Sequence, residues 1–323
     1  MSASLARSPT TNVLLIGDAA LDVTVASSEL PRPDELRWGK LPVDWGGSSV
    51  YCARALRALR SDYRITLMIP AAGQWGASLQ RGLGEEGIEV VPLPCAPTLS
   101  AILAFENGDR GFLADDPMKP LNELPQPPDA SYDMVVVSGY FQAVCLHSAA
   151  FLPWFDAVVD TTPRPFCALD SNYNTAAAAE AFWVLRGLAT RVDCFFPNLA
   201  ELGLLSGLGP ELPADTGSVA DAARRLRSLW ELPDDRPTMV ATAGEAGCFV
   251  CGPGGEPVHM PAQAVRGDVF ANSAGDVFLA SFLAAPGQME PGARAQHANR
   301  LAAEAIRVRG FDEKLDVLRR AAQ

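Results

Sequence analysis

Residues 272 to 278 read Asn272-Ser273-Ala274-Gly275-Asp276-Val277-Phe278, small residues ahead of an apolar helical stretch with one carboxylate in its first turn. Small side chains at 273 to 275 let the backbone come close to a ligand. The amides of a helix start point outward, along a dipole that favours anions. Asp276 would face the same place. A carboxylate there can take the proton of an attacking hydroxyl while the amides of Ser273, Ala274, Gly275 and Asp276 hold the oxygens of a phosphoryl group in transfer. The plainer alternative is a helix-favouring acid behind an ordinary Ser-Ala-Gly start.

Other positions offer compatible chemistry. Asp22 follows an apolar run ending in Gly17-Asp18, and a short carboxylate just beyond a strand end can accept hydrogen bonds from two neighbouring hydroxyls of a sugar or ribose; a turn or cap aspartate is the alternative. Gly46 and Gly47 permit close backbone approach ahead of a helix, or simply form a tight turn. Asn198 and Glu201 share a face if Pro197 opens a helix, so they can hold the waters of a hard cation or form a plain capping box. Thr242, Gly244 and Gly247 follow a buried strand and can meet a nucleotide's phosphates or ribose, or form a β-turn. Asn299, on the last long helical pattern, is a candidate for the adenine side, against a solvated helix position.

These residues need a scaffold. The run from Asn12 to Ile16 reads as a buried strand, and so do Ile65 to Ile69, Val135 to Val137, Phe166 to Leu169, Cys194 to Phe196 and Thr238 to Thr242. Helical patterns span Ser48 to Leu59, Trp75 to Glu86, Thr175 to Leu188, Ser218 to Trp230, Gly275 to Ala284 and Ala293 to Val308. Such alternation indicates an α/β fold, a doubly wound and mostly parallel sheet with helices on both faces, whose ligands bind at the carboxyl ends of the strands. Two stretches break the alternation. Leu21 to Val43 mixes β-formers with Pro, and Thr98 to Leu113 carries Asn107-Gly108-Asp109, a tight hairpin signal. Together they predict a small β lid. Asp115 to Asp129, with five prolines, reads as a returning loop.

At 323 residues with 48% hydrophobic and 20% charged residues, the chain can build one large globular core. A net charge of −12 and the lack of any Lys/Arg run exclude a broad nucleic-acid footprint. No apolar stretch approaches the roughly 18 residues of a membrane span, and Met1 to Thr11 lacks a signal-peptide core, so a cytoplasmic location without membrane contact is expected. The seven cysteines are scattered among apolar neighbours, as in a reduced protein. Cys248 and Cys251 form one isolated pair better suited to core packing than to zinc, and the three histidines are far apart.

The order of the motifs resembles the ribokinase-like, or phosphofructokinase B, family of carbohydrate and nucleoside kinases. Gly17-Asp18-Ala19-Ala20-Leu21-Asp22 resembles its first strand and substrate-binding aspartate, and Trp45-Gly46-Gly47-Ser48-Ser49 its Gly-Gly motif. Asn198-Leu199-Ala200-Glu201 resembles the Asn-x-x-Glu element that organises magnesium, Thr242-Ala243-Gly244-Glu245-Ala246-Gly247 the turn beside the nucleotide, and Ser273-Ala274-Gly275-Asp276 the Gly-Ala-Gly-Asp signature. The resemblance spans nearly the whole chain. It implies one domain over residues 1–323 with lid segments at about 21–43 and 98–113, ATP and Mg2+ as co-substrate and cofactor, a small sugar or nucleoside as partner, and a homodimer through the lid.

The pattern also departs from the family. Phe270-Ala271-Asn272 stands where Asp-Thr-Thr is frequent, which removes a polar brace, and Ser273 replaces a glycine. Tyr51 takes the place of an asparagine, offering an aromatic face to a sugar or base. Asp170-Ser171-Asn172-Tyr173-Asn174 lacks the arginine of the corresponding region, and Ala72-Gly73-Gln74-Trp75-Gly76 lacks an acid. Three readings therefore stay open: a sugar kinase, a nucleoside kinase, and a ligand-binding relative without turnover.

Overall fold

Val13 to Ile16 are fully buried on both faces of their strand: Val13 and Leu15 pack into one core, Leu14 and Ile16 into the other. Each such side chain contributes about 1.5–3 kcal/mol by leaving water, so this strand holds the centre of a sheet covered on two sides. The computed structural model describes residues 10–26, 34–36, 38, 41–104, 110–115, 118–128, 131–172, 179–254, 256–286 and 289–323.

In chain order the strands are β1 (Asn12–Gly17), β2 (Ala20–Ala26), β3 (Val43–Gly46), β4 (Arg64–Pro70), β5 (Ile88–Leu93), β6 (Thr98–Ala104), β7 (Arg110–Ala114), β8 (Met134–Ser138), β9 (Phe166–Asp170), β10 (Cys194–Phe196), β11 (Thr238–Thr242), β12 (Cys248–Cys251) and β13 (Val258–Met260). The helices are α1 (Ser48–Leu59), α2 (Gly73–Glu85), α3 (Phe151–Val159), α4 (Ala179–Ala189), α5 (Leu199–Leu205), α6 (Thr216–Trp230), α7 (Ala274–Ala284), α8 (Pro291–Ala305) and α9 (Phe311–Ala321).

Among the described residues, nine strands form the main sheet in the order β13-β12-β11-β10-β9-β8-β1-β4-β5. All neighbours are parallel except the β11–β12–β13 edge. The chain leaves β1 toward β4 and β5, then returns to β8 on its other side and continues outward. A reversal of this kind opens a crevice at the carboxyl ends of β1 and β8, where ligands of doubly wound sheets bind. One core packs α1, α2, α7, α8 and α9 on one face; the other packs α3 to α6 on the opposite face.

The lid is a separate sheet, β3-β2-β6-β7. Its register puts Asp22 opposite Asp44 and Ser100, and Leu21 opposite Trp45 and Leu99. Alternation therefore gives it one polar face and one apolar face. Asp22 thus lies within β2 on the lid, beyond the end of β1, and not in the turn that was its plainer alternative. The predicted 98–113 hairpin is present as antiparallel β6 and β7. Its Asn107-Gly108-Asp109 turn lies outside the described residues, as do Tyr173, Asn174 and part of the 21–43 segment.

α7 is buried all round from Val277 to Ala284. A helix with no polar face belongs in an interior. It runs between α1 and α8, so packing on every side sets where its N-terminus points.

Candidate active site

The crevice is a cavity of about 700 Å³ between the carboxyl ends of the main strands and the polar face of the lid. Its walls carry Asp18, Asp22, Gly47, Ser48, Tyr51, Asp170, Asn198, Glu201, Thr242 and the run Ala271 to Asp276. Residues distant in sequence meet here because most of them end a strand or begin a helix, while Asp22 reaches the cavity from within β2 and Tyr51 from within α1. Gly46, Gly244, Gly247 and Asn299 do not line it.

Asp276 stands in the first turn of α7. Burial, then the repulsion of Asp18, pushes its carboxyl up to about 7, against a hydrogen bond from Ser48 and the charge of Lys314. Ser48 also accepts a hydrogen bond from Asn172 Nδ2 at 2.9 Å, which fixes its hydroxyl beside the acid. Such a carboxyl titrates near neutrality, where a general base is most effective.

Asp18, 6% exposed, closes β1. It accepts the amides of Ser48 at 3.1 Å and Ser49 at 3.0 Å, tying β1 to the start of α1. Burial raises its carboxyl to about 6 in spite of these bonds. The glycine between, Gly47, has φ 102° and its Cα lies over Ala19 and the Asp18 carbonyl, where a Cβ would meet backbone at 2.9 Å. Only glycine fits that turn.

Asp170, at the end of β9, accepts the Gly139 amide at 3.0 Å and the Ser138 hydroxyl at 3.2 Å. Burial and the neighbouring Glu201 and Asp276 hold its carboxyl well above the usual range. Glu201, also buried, closes a full capping box with Asn198: the Glu201 amide donates to Asn198 Oδ1 at 2.9 Å and the Asn198 amide to Glu201 Oε2 at 3.1 Å. Glu201 Oε1 accepts Asn198 Nδ2 at 2.7 Å, and Oε2 also accepts the Ser171 hydroxyl at 2.8 Å. The pair thus forms the capping box and at the same time lines the cavity.

No group of three or more His, Cys, Asp or Glu gathers tightly enough among the described residues to cage a metal directly. Yet Asp18, Asp170, Glu201 and Asp276 share a cavity with no Lys or Arg among its lining residues. Crowded acids already engaged by protein donors fit a hydrated cation held through its waters better than one stripped of them.

On the lid, Asp22 is raised by burial and receives hydrogen bonds from Ser100 and Tyr51. The Tyr51 hydroxyl lies 3.4 Å from Asp22 Oδ2, and the residue, 8% exposed, packs its ring on Phe311 with centroids 4.3 Å apart. The stacking face expected of Tyr51 is therefore spent on the core, and its hydroxyl edge serves the site. Asn299 also departs from expectation. It is buried, and its Nδ2 donates to the Met260 carbonyl at 2.9 Å, bracing the end of β13. Gly244 and Gly247 bracket the tight turn between β11 and β12, closed by the Ala243 amide on the Gly247 carbonyl at 2.7 Å. Cys248 and Cys251 are buried in β12.

Ser273 caps α7 in the left-handed region, φ 58° and ψ 15°, where glycine is the unstrained choice. The Ala274 amide turns back to the Ala271 carbonyl at 3.1 Å, so it is already engaged, unlike the expectation for an anion hole spanning all four amides. The missing brace at 270 is replaced from elsewhere: Lys314 on α9 donates to the carbonyls of Phe270 at 2.7 Å and Asn272 at 2.5 Å.

Asp276, Asp22 and Glu201 are site candidates in the sequence; Asp18, Asp170 and Lys314 join them only in the folded chain. Asp18 and Asp170 had a signal, an Asp closing an apolar strand. Lys314 had one too, a charge within the apolar stripe Phe311, Leu315, Leu318.

A switch-point cavity under a β lid, facing a buried helix start with a first-turn carboxylate, defines the ribokinase-like class of α/β folds. The family described as pfkB family carbohydrate kinase matches residues 10–317, and the chain belongs to it. The fold is similar to ribokinase from Cryptococcus neoformans var. grubii serotype A in complex with ADP (TM-score 0.75, 18% identity, 97% of this chain and 100% of that one). It is similar also to Arabidopsis thaliana ribokinase complexed with ribose and ATP (TM-score 0.70, 15% identity, 96% and 99% covered). A third likeness is to aminoimidazole riboside kinase from Salmonella enterica complexed with aminoimidazole riboside and an ATP analogue (TM-score 0.65, 18% identity, 97% and 100% covered). At such identities these likenesses concern the fold. A comparison with curated protein sequences finds no match. No helix among the described residues is long and apolar enough to cross a membrane.

Proposed function

We propose that this protein transfers a phosphoryl group from ATP to a hydroxyl of a small sugar or sugar-like substrate. One observation carries the reading: Asp276, raised to about 7, and the amide-rich start of α7 line the same cavity as Asp22 on the lid. Asp22 accepts hydrogen bonds from acceptor hydroxyls and orients them. Asp276 takes the proton of the attacking hydroxyl, and the amides at the start of α7 hold the phosphoryl oxygens. Asn198 and Thr242, on the cavity wall, face the donor nucleotide. A magnesium ion would be held through its waters by Glu201 and Asp170, and would neutralise phosphate charge when bound.

The burial of the Tyr51 ring against Phe311 favours a compact polyol over a nucleoside base stacked on that residue. The apolar outer face of the lid supports a homodimer, with a second copy covering it. Magnesium ATP incubated with pooled sugars and, separately, pooled nucleosides, with products identified by mass, tests the reading. Sugar phosphate is expected. Nucleotide formation would shift the substrate class, and binding without turnover would replace the kinase by a ligand-binding relative. Asp276→Asn should lower turnover by about 1,000-fold or more with ATP affinity nearly intact.

A further inference from the structure

We propose that Lys314 is a positioning residue for phosphoryl transfer: from behind the 270–272 loop its ammonium turns the peptide amides leading into α7 toward the cavity. The proposal rests on the kinase reading given above. Lys314 is 1% exposed and sits on the face of α9 that packs inward with Phe311, Leu315 and Leu318. Taking an ammonium out of water costs several kcal/mol unless its donors are met. A methionine would fill the same stripe without that cost, so packing alone does not call for a lysine.

Its donors are met by two carbonyls of one loop, Phe270 at 2.7 Å and Asn272 at 2.5 Å. In a planar trans peptide the C=O of one residue and the N–H of the next point in opposite directions. Drawing the Phe270 and Asn272 carbonyls back to Lys314 therefore sends the Ala271 and Ser273 amides the other way. Residues 271 to 276 line the cavity, so that way is toward the ligand. The same pull on Asn272 helps hold Ser273 at φ 58°, a conformation a serine leaves unless its neighbours are fixed.

α9 is itself placed by the opposite wall of the site. Tyr51 packs on Phe311, and Arg54 on α1 pairs with Asp312 at 2.6 Å. The helix that begins at Ser48 thus registers the ammonium that aims the α7 amides. A fixed positive charge also lies behind a cavity walled by acids, where it offsets their repulsion of a phosphate.

The test compares Lys314→Met with the full wild-type chain. Calorimetry measures the affinity for magnesium ADP alone and with fluoroaluminate, a mimic of the phosphoryl group in transfer. Turnover is followed against pH, with ammonium or sodium chloride at equal ionic strength. The variant should lose about 100-fold in fluoroaluminate-dependent affinity and in turnover, while ADP alone changes less than about threefold. Ammonium, and not sodium, should restore about tenfold or more. The acid limb set by Asp276, whose other charged and titratable neighbours are Asp18, Asp170, Tyr51 and Cys52, should move to higher pH.

Wild-type turnover in the variant would overturn the proposal. So would equal losses for ADP with and without fluoroaluminate, an unmoved acid limb and no rescue, the signature of a purely structural lysine. If Lys314→Met does not fold, Lys314→Gln, which keeps a donor without the charge, takes its place; retained fluoroaluminate affinity there overturns the role. A wild-type protein that neither turns over any acceptor nor binds ADP more tightly with fluoroaluminate sinks the kinase reading itself, and this role with it.

Discussion

The carboxylate of Asp22 rests on the bare Cα of Gly46: a Cβ built there would lie 1.9 Å from Asp22 Oδ2. The two strands pair in the lid, Ala20 opposite Gly46 and Asp22 opposite Asp44, so the glycine leaves room for the carboxylate on the cavity side. Gly46→Ala must therefore displace Asp22. The expected result is a rise of about 10- to 100-fold in KM for the phosphate acceptor with ATP affinity unchanged, read from steady-state kinetics. Unaltered acceptor KM would show that Asp22 does not orient the substrate.

Ser273 holds a left-handed conformation that costs a serine about 1 kcal/mol relative to glycine. Ser273→Gly is expected to raise the thermal midpoint by about 2 °C and to leave turnover equal or higher, because the amide donors stay in place. A midpoint lowered by several degrees would mean that the Ser273 hydroxyl, which donates to the Asn272 carbonyl at 2.5 Å, matters more than the strain.

Turnover should fall as pH drops through about 7, since Asp276 must be ionised to accept a proton. Asp18→Asn should move that limb to lower pH, because after burial the Asp18 charge is the next cause that raises Asp276. A pH–rate profile of both proteins checks this; an unmoved limb would remove Asp18 from the electrostatics of the base.

The same shift has a stability consequence. A carboxyl raised from 3.8 to about 7 binds its proton more tightly in the folded state, so stability declines with pH between those values and the full penalty applies above about 7. Asp276→Asn removes it. Denaturant titrations should show the variant and wild type equal near pH 4, with the variant ahead by about 2 kcal/mol or more at pH 8. A constant difference across that range would contradict the assignment.

Leu113, 72% exposed, stands opposite Ala101 on the outer lid face beside Leu99, Val43 and Val23. An apolar sheet face of this kind is expected to meet a second copy. Leu113→Glu should convert a dimer to a monomer in sedimentation velocity at micromolar concentration. A monomeric wild type would discard the pairing.

Much of this was legible in the chain. Uninterrupted apolar runs such as Val13 to Ile16 announce strands covered on both faces, and the helix starts at Ser48 and Ala274 follow from small residues ahead of apolar stretches. Asn198 to Glu201 encodes its own cap, since both partners lie within one turn. The short β5 and β13 and the helices α3 and α9 were less visible, because their burial depends on partners far away in sequence.

Local order, then, sets where strands and helices begin, and motif spacing sets which family the chain resembles, because both depend on residues within a turn or a strand of one another. Which charges crowd together depends on distances no spacing encodes. Asp18, Asp170 and Asp276 come from three separate segments and press on one another only where β1, β9 and α7 converge. The run from Asn272 to Asp276 shows the division most clearly. Its carboxylate and small residues are written in order, but the cation that aims its amides is Lys314, brought from the last helix by packing against α1.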